Sequence, residues 1–323
     1  MKLQIVIVNY KTAELTIDCL RSLEPEISSV VGGCIVVITD NASGDGSCEK
    51  MAAAITQNNW STWAKLMPLP RNGGFAYGNN EGIRPALASA NPPEYFYLLN
   101  PDTRVIPGAL KALVDFLDDH RRAGIVGSRV ENEDGSVRRS VFRFHTVRGE
   151  VEGCARIGAV SKAFDRWVVA PPVPETPEQA EWVSGSSMVV RTEVFKQIGL
   201  MDEGYFMYYE ETDFCLRSHR AGWECWYVPQ ARIIHLVGQA SGVTGTKRAV
   251  KRRPAYWFDS RARFFRQSYG TFTALLADLA WIGSYAIGNM WRKLRMKPRT
   301  DPPRLWWDFV RHSVTSRLPS QQS

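Results

Sequence analysis

A turn that follows a strongly apolar run has the residues expected of a metal and phosphate site. The run is Tyr95–Leu99, and the turn after it reads Asn100-Pro101-Asp102-Thr103. Because the proline rigidifies the turn, Asp102 is predicted to point away from the strand. Mg²⁺ accepts few carboxylates and fills its shell with phosphate oxygens and water, so one aspartate is sufficient. We predict that Asp102 binds a divalent metal; the alternative is a capping role at the helix that follows Pro107.

An acidic run, Tyr208-Tyr209-Glu210-Glu211-Thr212-Asp213, lies at the start of another predicted helix. Helical spacing puts Asp213 on one face with Glu210 and with Arg217, and it directs Glu211 elsewhere. Clustered carboxylates raise one another's pKa, which suits a general base that works near neutral pH. The alternative is a solvated helix start favoured by the helix dipole, against which the aromatic neighbours argue.

Two other predicted strands end in groups that suit a nucleotide. Asp40 begins the turn Asp40–Gly46, in which a fixed carboxylate can accept hydrogen bonds from a base imide or a ribose hydroxyl. Asp45 or Ser47 is expected to cap the helix after this turn. A third strand leads to Arg71–Asn80, where paired glycines let backbone amides approach a ligand and the arginine supplies a cation suited to phosphate. The alternative for this loop is a simple turn.

The elements around these residues predict an α/β fold. The predicted strands are Leu3–Val8, Cys34–Thr39, Lys65–Leu69, Tyr95–Leu99 and Ile125–Ser128, and the predicted helices are Ala13–Leu23, Ser47–Gln57, Tyr77–Ala90 and Gly108–His120. Apolar strands alternating with helices predict a mainly parallel sheet covered by helices on both faces. Such sheets bind ligands beyond the carboxyl ends of their strands, which is where the polar residues gather. His235, after the apolar pair Ile233-Ile234, is predicted to join them as a ligand of the metal or of a diphosphate.

The second half of the chain is less regular. Residues 141–181 contain scattered aromatics and a proline-rich stretch without a clear period, so we predict a long, partly mobile loop over the site. After it we predict ordered structure at Trp182–Val190, a short helix near Glu193–Ile198, a turn feeding a helix at Met207–Gly222, and strands at Glu224–Val228 and Arg232–His235.

The C-terminal segment is set apart by its composition. Thr271–Trp291 approaches the length of a membrane span, but it contains Asp278 and is only modestly hydrophobic. Basic and aromatic residues flank it, as in interfacial helices that lie on anionic lipid. The alternatives are a spanning helix and a helical pair packed on the core or on a second subunit. The chain has a formal net charge of +7, and its basic residues concentrate late, in Lys247, Arg248, Lys251, Arg252, Arg253, Arg261, Arg263, Arg266 and Arg292–Arg299.

The overall composition excludes several classes of protein. Hydrophobic residues make up 44% and charged residues 23% of the 323 residues, which is globular rather than disordered. The six cysteines form no C-x-x-C pair, so neither a zinc site nor a disulfide framework is expected. Free thiols of this kind indicate a protein in a reducing compartment. The N-terminal apolar run is too short for a signal peptide and predicts a strand in a cytosolic protein. The basic residues do not interleave with a nucleic-acid motif, which argues against nucleic acid as a partner.

Five segments, in the expected order, resemble glycosyltransferase family 2, the large inverting family with the GT-A fold, and above all its bacterial rhamnosyltransferase-like branch. They are VIVNYK, TDNASGDGS, RNGGFAYGNN, LLNPDT and WVSGSSMVV…MDEGYFMYYEETDFCLR…IIH, over roughly residues 3–240. The resemblance implies a dTDP- or UDP-sugar donor, Mg²⁺ or Mn²⁺, and single-step displacement with inversion at the anomeric carbon. It predicts a GT-A domain at residues 1–240, with a nucleotide-binding half (1–128) and an acceptor and catalytic half (129–240), followed by a basic aromatic helical region at 241–323.

The resemblance also assigns roles to residues. Glu211 takes the position of the catalytic base, where the family usually has aspartate, and Asp213 is the fallback. Asp102 and His235 take the metal positions, while Asn100 stands in place of the first aspartate of the D-x-D motif. The donor nucleotide is assigned to Tyr10, Asp40, Asn41, Asp45, Arg71, Gly73, Gly74, Asn79 and Asn80. The transferred sugar and the acceptor are assigned to Trp182, Gly185, Ser186 and Glu210.

The predicted function is transfer of a sugar, first L-rhamnose from dTDP-rhamnose, to a glycan or lipid-linked acceptor in cell-surface polysaccharide synthesis. The protein is expected in the cytoplasm, where it could attach to the cytoplasmic face of the inner membrane and could form a homodimer. The alternative donor is a UDP-hexose. One rival, a sugar-phosphate nucleotidyltransferase, would have a glycine-rich loop where this chain reads Asn9-Tyr10-Lys11-Thr12. The other, a non-catalytic nucleotide-sugar binding protein, is left open by Asn100 and Glu211.

Overall fold

The computed structural model describes residues 1–236, 251–298 and 301–315. The strands are β1 (Leu3–Asn9), β2 (Cys34–Asp40), β3 (Ala64–Pro68), β4 (Tyr95–Leu99), β5 (Thr103–Val105), β6 (Ala123–Glu131), β7 (Val141–Phe142), β8 (Glu178–Ala180), β9 (Trp182–Val183), β10 (Ser187–Arg191) and β11 (Glu224–His235). The helices are α1 (Ala13–Ile27), α2 (Ser47–Gln57), α3 (Gly74–Leu87), α4 (Ala109–Asp119), α5 (Val147–Ala155), α6 (Gly158–Ala163), α7 (Thr192–Ile198), α8 (Glu210–Arg220), α9 (Ala255–Leu294) and α10 (Leu305–Thr315).

The described residues divide into two compact units. The first contains residues 1–142, 172–206 and 210–236, and the second contains residues 143–171, 207–209, 251–298 and 301–315. The predicted boundary near residue 240, and the division of the first domain at residue 128, stay predictions. Three of the basic residues that mark the predicted C-terminal region, Lys247, Arg248 and Arg299, lie outside the described residues.

The first unit is built on a mixed sheet whose strand order is β3-β2-β1-β4-β10-β6-β11-β5, with β8 paired to β11. Parallel pairing joins β1 to β2 and β4, β2 to β3, and β6 to β11. Antiparallel β10 lies between β4 and β6, so these two strands and β11 run in the same direction as β1 to β3. The α/β fold with a mixed, mainly parallel sheet is therefore confirmed.

This direction collects six carboxyl ends at one edge of the sheet. Register pairs Asn9 with Asp40 and Asp40 with Pro68, so the first three strands end side by side. β4 and β11 end there as well, because Ile7 lies opposite Leu99 and Ile234 opposite the last residue of β6. Antiparallel β10 begins at the same edge. The polar turns predicted from the sequence follow these ends.

The strands of the first half could be predicted from local sequence, because strands buried in the core are written as continuous apolar runs. The Val36, Ile38, Phe96 and Tyr97 side chains have no exposed surface. The sequence pattern missed β5 and did not separate β10, whose places depend on pairing with distant strands. The two strands predicted at Glu224–Val228 and Arg232–His235 are one strand, β11, whose register against β6 shifts between Val228 and Arg232.

The prediction of an aperiodic loop at residues 141–181 was wrong. This stretch contains α5 and α6, a 3₁₀ turn at Asp165–Trp167, and the short strands β7 and β8. The Thr146 hydroxyl caps α5 by accepting a hydrogen bond from the Gly149 N–H at 3.1 Å. α5 is further stabilised by a partner more than a hundred residues away, which no local period reveals.

The second unit is helical and has a buried charge network at its centre. The guanidinium of Arg261, 2% exposed, donates to Glu150 of α5 at 2.9 Å and to Asp278 of α9 at 2.6 Å. Burial opposes ionisation of Glu150, but the Arg261 charge holds its pKa below the usual range. A buried pair of this kind is costly to break, because loss of one partner leaves an uncompensated charge. The network therefore joins α5 to both halves of α9.

The segment predicted at Thr271–Trp291 is the second half of α9. This helix changes direction at Gly270, whose φ of 83° and ψ of 164° are not helical. By length and composition α9 could cross a membrane, although core helices of soluble proteins can have the same length and composition. One face of its second half, including Ala277, Trp281 and Tyr285, is buried.

Candidate active site

The turn after β4 places Asp102 beside His235. Asp102 is 2% exposed, and its Oδ1 lies 3.1 Å from Nε2 of His235. The side-chain amide of Asn100 is 3.4 Å from the same nitrogen. β5 begins directly after the turn and pairs with β11 so that Thr103 lies opposite His235. Strand pairing thus brings together two residues 133 positions apart.

A carboxylate next to an imidazole nitrogen suits a divalent ion that takes its other ligands from a substrate. No cluster of three His, Cys, Asp or Glu side chains suited to a metal occurs within the described parts of the chain. Mg²⁺ and Mn²⁺ accept such sparse protein ligands because phosphate oxygens and water complete the shell. The residues present therefore fit a metal that binds together with a diphosphate.

Arg138 is a residue near this turn that the sequence did not single out. It follows a tight turn at residues 132–136, and its backbone N–H donates to the carbonyl of Val130 near the end of β6 at 2.8 Å. Burial lowers the pKa of Arg138, and the Asp102 carboxylate opposes that shift, which puts the two groups within electrostatic range. The sequence signal was the pair Arg138-Arg139, which lies just before the stretch at residues 141–181 that was predicted to be irregular.

Glu210 and Glu211 begin α8, and both carboxyl groups are withdrawn from water. Oε2 of each is inaccessible to solvent and has no hydrogen-bond partner among the described residues. Burial, and then repulsion by Glu211, raises the pKa of Glu210 well above the usual range for a glutamate. Burial also raises the pKa of Glu211, and the backbone N–H groups of Glu211 itself and of Gly185 oppose that shift. A proton shared by this pair leaves one carboxylate free to act as a base.

Gly185 and Ser186 connect the two acidic parts of the site. The carbonyl of Ser186 accepts a hydrogen bond from the Asn100 N–H at 3.0 Å. A Cβ atom placed on Gly185 would lie 3.5 Å from both Cβ of Glu211 and the ring of Phe75. These contacts join the turn that carries Asp102 to the start of α8. Trp182, nearby in sequence, is 8% exposed and stacks on Phe142 at 4.1 Å.

Asp213 is occupied by a structural ion pair. Its carboxylate accepts from Arg217 Nε at 2.8 Å, as helical spacing predicted. The same guanidinium donates to the carbonyls of Ile198 and Leu200 at 2.9 and 3.0 Å. Asp213 thus holds the end of α7 to α8, and this favours Glu211 over Asp213 as the base.

The segment after β2 forms a buried polar network. Asp40 is 2% exposed and accepts from the Asn9 amide at 2.6 Å and from the Ser43 hydroxyl at 2.7 Å. The Asn41 amide donates to the carbonyl of Gly74 at 2.9 Å, but its Oδ1 is buried without a partner among the described residues. Tyr10, the residue after Asn9, is 40% exposed.

Asp45 precedes Gly46, the N-cap residue of α2, and binds Ser47, the first residue of the helix. Its Oδ1 accepts from the Ser47 N–H and hydroxyl, at 3.1 and 2.5 Å. The hydroxyl bond and the backbone bond, with opposition from burial, hold the pKa of Asp45 below its usual value.

The glycine loop is shaped by close backbone approach. Gly74 has a φ of 87°, and a Cβ there would meet the Phe206 carbonyl oxygen at 2.0 Å. The Arg71 guanidinium lies 4.3 Å from the centre of the Tyr77 ring. Asn79 donates to the Phe75 carbonyl at 2.9 Å, and Asn80 donates to the Met201 carbonyl at 2.8 Å. The side-chain amides of both asparagines therefore donate to backbone carbonyls of the protein itself.

Comparison with known proteins identifies the family. The model of "Glycosyl transferase family 2" matches residues 4–163, and that of "Glycosyl transferase family group 2" matches residues 95–316. The chain belongs to glycosyltransferase family 2. It is 31% identical over 220 residues, 64% of this chain and 68% of the relative, to the N-acetylglucosaminyl-diphospho-decaprenol L-rhamnosyltransferase of Mycobacterium tuberculosis. It is 26% identical to the dTDP-rhamnosyl transferase RfbF of Shigella flexneri, over 64% of this chain and 62% of the relative.

Solved structures agree on the fold of this glycosyltransferase. A mannosyltransferase from Pyrobaculum calidifontis, in complex with GDP-Man and Mn²⁺, superposes with a TM-score of 0.60 at 14% identity, covering 99% of this chain and 88% of that one. TarS from S. aureus, in complex with UDP-GlcNAc, gives 0.54 at 14% identity, covering 97% and 81%. The GT-A fold is thereby confirmed, and the transferase activity is confirmed by membership of the family. Family membership also separates this enzyme from nucleotidyltransferases and from non-catalytic binding modules.

Proposed function

We propose that this glycosyltransferase moves L-rhamnose from dTDP-rhamnose to a hydroxyl group of a lipid-linked glycan, with inversion at the anomeric carbon. The observation that carries the reaction type is Glu211, a desolvated carboxylate near Gly185, with one oxygen that has no hydrogen-bond partner in the described part of the chain. The name of the Mycobacterium tuberculosis relative supports L-rhamnose as the sugar, and that of the Shigella flexneri relative supports dTDP as its carrier.

Glu211 is proposed as the general base. Its raised pKa increases its basicity, and the unpartnered Oε2 can accept the proton of an acceptor hydroxyl. The backbone N–H of Gly185 favours the charged form of this carboxylate. As the proton leaves, the acceptor oxygen attacks the anomeric carbon from the face opposite the diphosphate, so the new bond forms with inversion. Such help is typically worth ~10²–10⁴-fold in rate.

Asp102 and His235 are proposed to hold a divalent ion, with Asn100 beside them. When bound, such an ion neutralises the charge that develops on the leaving diphosphate. Asn100 contributes no charge where the family motif usually has aspartate. The positive charge of Arg138 near Asp102 would offset repulsion between this carboxylate and the phosphates.

The donor nucleotide is proposed to lie over the first three strand ends. The orphaned Oδ1 of Asn41 can accept a hydrogen bond from a base imide, and the exposed Tyr10 ring can stack on the base. Asp40 fixes Asn9 and Ser43, and we propose that it shapes this pocket. Arg71 and the Gly73-Gly74 turn are proposed to face the phosphates, while Asn79 and Asn80 hold the loop from within.

A lipid-linked acceptor would bring the enzyme to a membrane, and the second half of α9 supports this. Its exposed apolar residues recur at helical spacing: Phe272, Leu276, Leu279, Ile287, Met290 and Leu294, here named the apolar stripe. Arg292 and Lys293 lie in the last turn of the helix, and Arg295 is its C-cap residue. We propose peripheral attachment to the cytoplasmic face of an anionic membrane.

The test is a donor panel assayed by release of nucleoside diphosphate. We expect turnover with dTDP-rhamnose and Mg²⁺ or Mn²⁺, and loss of turnover in EDTA that either ion restores. Preference for a UDP-hexose would replace the proposed donor and keep the reaction. Full turnover in EDTA would contradict the proposed role of Asp102 and His235.

A further inference from the structure

Phe75, the second residue of α3, is a half-buried aromatic residue whose backbone is fixed on both sides. Its N–H donates to the carbonyl of Phe206 at 3.0 Å, and its own carbonyl accepts from the Asn79 amide at 2.9 Å. The carbonyl of Gly74, in the preceding peptide group, accepts from the Asn41 amide at 2.9 Å. Because the backbone conformation limits the rotamers of a side chain, these bonds leave the Phe75 ring few directions.

The ring of Phe75 lies beside Gly185 and the proposed base. A Cβ atom on Gly185 would lie 3.5 Å from Cε1 and Cζ at the tip of this ring, and also 3.5 Å from Cβ of Glu211. The tip of the ring and the root of the Glu211 side chain therefore border the same point. Phe75, Gly185 and Glu211 all belong to the first unit.

The position of the base also sets the position of the transferred sugar. A general base accepts its proton over roughly 3 Å, and the oxygen that loses this proton attacks the anomeric carbon. The sugar ring therefore lies next to the Glu211 carboxylate, where the half-buried ring of Phe75 offers it an apolar surface. An aromatic ring has no strong hydrogen-bonding group, so a hydroxyl group packed against it loses its bonds to water without replacement.

We propose that Phe75 is a specificity-determining residue whose ring contacts the C6 methyl group of the donor sugar and so selects a 6-deoxyhexose. The inference rests on the proposed function, in which the sugar is L-rhamnose and Glu211 is the base. The methyl group is the wholly apolar substituent of rhamnose, whereas an ordinary hexose has a hydroxymethyl group at the same carbon. One group of this size against an apolar wall typically discriminates by roughly 10- to 200-fold.

The experiment compares two donors that differ only at C6. They are dTDP-L-rhamnose and dTDP-L-mannose, which has a hydroxyl group on that carbon, and the measured quantity is the ratio of their kcat/KM values. We expect the wild type to prefer rhamnose by roughly 10- to 200-fold. Phe75→Met keeps an apolar wall and should keep this preference. Phe75→Gln is of similar length, but its amide can hydrogen-bond the added hydroxyl, so the preference should fall at least about tenfold.

A structural role for Phe75 would not produce this result. The ratio of two kcat/KM values does not depend on the folded fraction of the enzyme, so lost stability lowers both values and leaves the ratio unchanged. Phe116→Gln is the matched control: Phe116 is half-buried on α4 of the same unit, where it stacks on His120 at 3.9 Å. This variant should keep the wild-type ratio. Should Phe75→Gln give no soluble protein, Phe75→Leu and Phe75→Asn form a shorter pair of like shape that decides between the same outcomes.

Two kinds of failure can be told apart. Turnover of dTDP-L-rhamnose with no preference in the wild type, or with equal preference in the Met and Gln variants, would overturn the role of Phe75 and leave the proposed function standing. A wild-type enzyme that does not turn over dTDP-L-rhamnose would overturn the proposed donor, and the role of Phe75 with it.

Discussion

Glu210 and Glu211 are adjacent in sequence, yet their surroundings fit different tasks. Glu210 is 4% exposed, and both burial and its neighbour's charge oppose its ionisation. Glu211 receives N–H donors that partly offset the cost of burial. Repulsion by Glu211 thus opposes the charged form of Glu210, whereas the nearby N–H groups favour the charged form of Glu211. The sequence predicted clustered carboxylates, but helical spacing alone could not show that Asp213 is bound by Arg217.

Glu211→Gln keeps the shape of the side chain and removes its basicity. We expect kcat to fall by ~10²–10⁴-fold with donor binding retained, since the base acts on the acceptor hydroxyl. Turnover and nucleotide affinity are measured separately, by diphosphate release and by calorimetry. Asp213→Asn is the matched comparison: it should lower the unfolding temperature by breaking the pair with Arg217 and leave kcat of the folded enzyme nearly intact. The reverse pattern would make Asp213 the base.

The raised pKa of Glu211 predicts an acid limb in the pH dependence of kcat. The base acts when ionised, so kcat should decline as pH falls through the pKa of Glu211. Because burial raises that pKa, the decline should be centred above ~4.3, the usual value for glutamate. Glu211→Gln should lose this limb from its residual rate. A wild-type kcat that stays flat down to the ordinary glutamate range would contradict the desolvated base.

At the scale of elements, the parallel part of the sheet was predictable and its antiparallel insertions were not. β1, β2 and β4 are apolar runs whose local pattern suffices, and the polar turns follow from where such runs end. β10 lies between β4 and β6, which come from far earlier in the chain, so only tertiary pairing defines it. α5 escaped prediction for a related reason, because Glu150 depends on Arg261. The asparagines of α3 were expected at the nucleotide, but contacts with Phe75 and Met201 use their amides.

Gly74 at the start of α3 offers a test of how closely two elements approach. Gly74→Ala would place Cβ 2.0 Å from the Phe206 carbonyl at a positive φ. We expect a loss of about 1–2 kcal/mol from backbone strain and about 1–3 kcal/mol more from the clash, with a rise in donor KM. Gly33→Ala is the control, since Gly33 has a φ of 93° and open space at Cβ. Equal losses in free energy of unfolding for the two variants would mean that the close approach contributes nothing.

For the whole molecule, the distribution of charge along the chain matters more than the net charge of +7. Basic residues concentrate toward the C-terminus, where the apolar stripe of α9 lies on the side opposite its buried residues. The stripe runs from Phe272 to Leu294, about 33 Å at 1.5 Å per residue. A helix buried on one face and apolar on the other suits a membrane surface better than a span. The alternative, already considered in the sequence analysis, is that the stripe packs against a second copy of the chain.

Substitutions in the stripe distinguish these two occupants. We expect the full-length protein to co-sediment with vesicles that contain anionic lipid, and less with purely zwitterionic ones. Leu279→Gln with Ile287→Gln and Met290→Gln should abolish sedimentation, because each removes apolar area that lipid would cover, and should leave turnover on a water-soluble acceptor intact. Val31→Gln, at a residue 89% exposed in the first unit, is the matched control and should bind as the wild type does. Unchanged vesicle binding by the triple variant, together with a change from dimer to monomer in analytical ultracentrifugation, would assign the stripe to a second subunit instead.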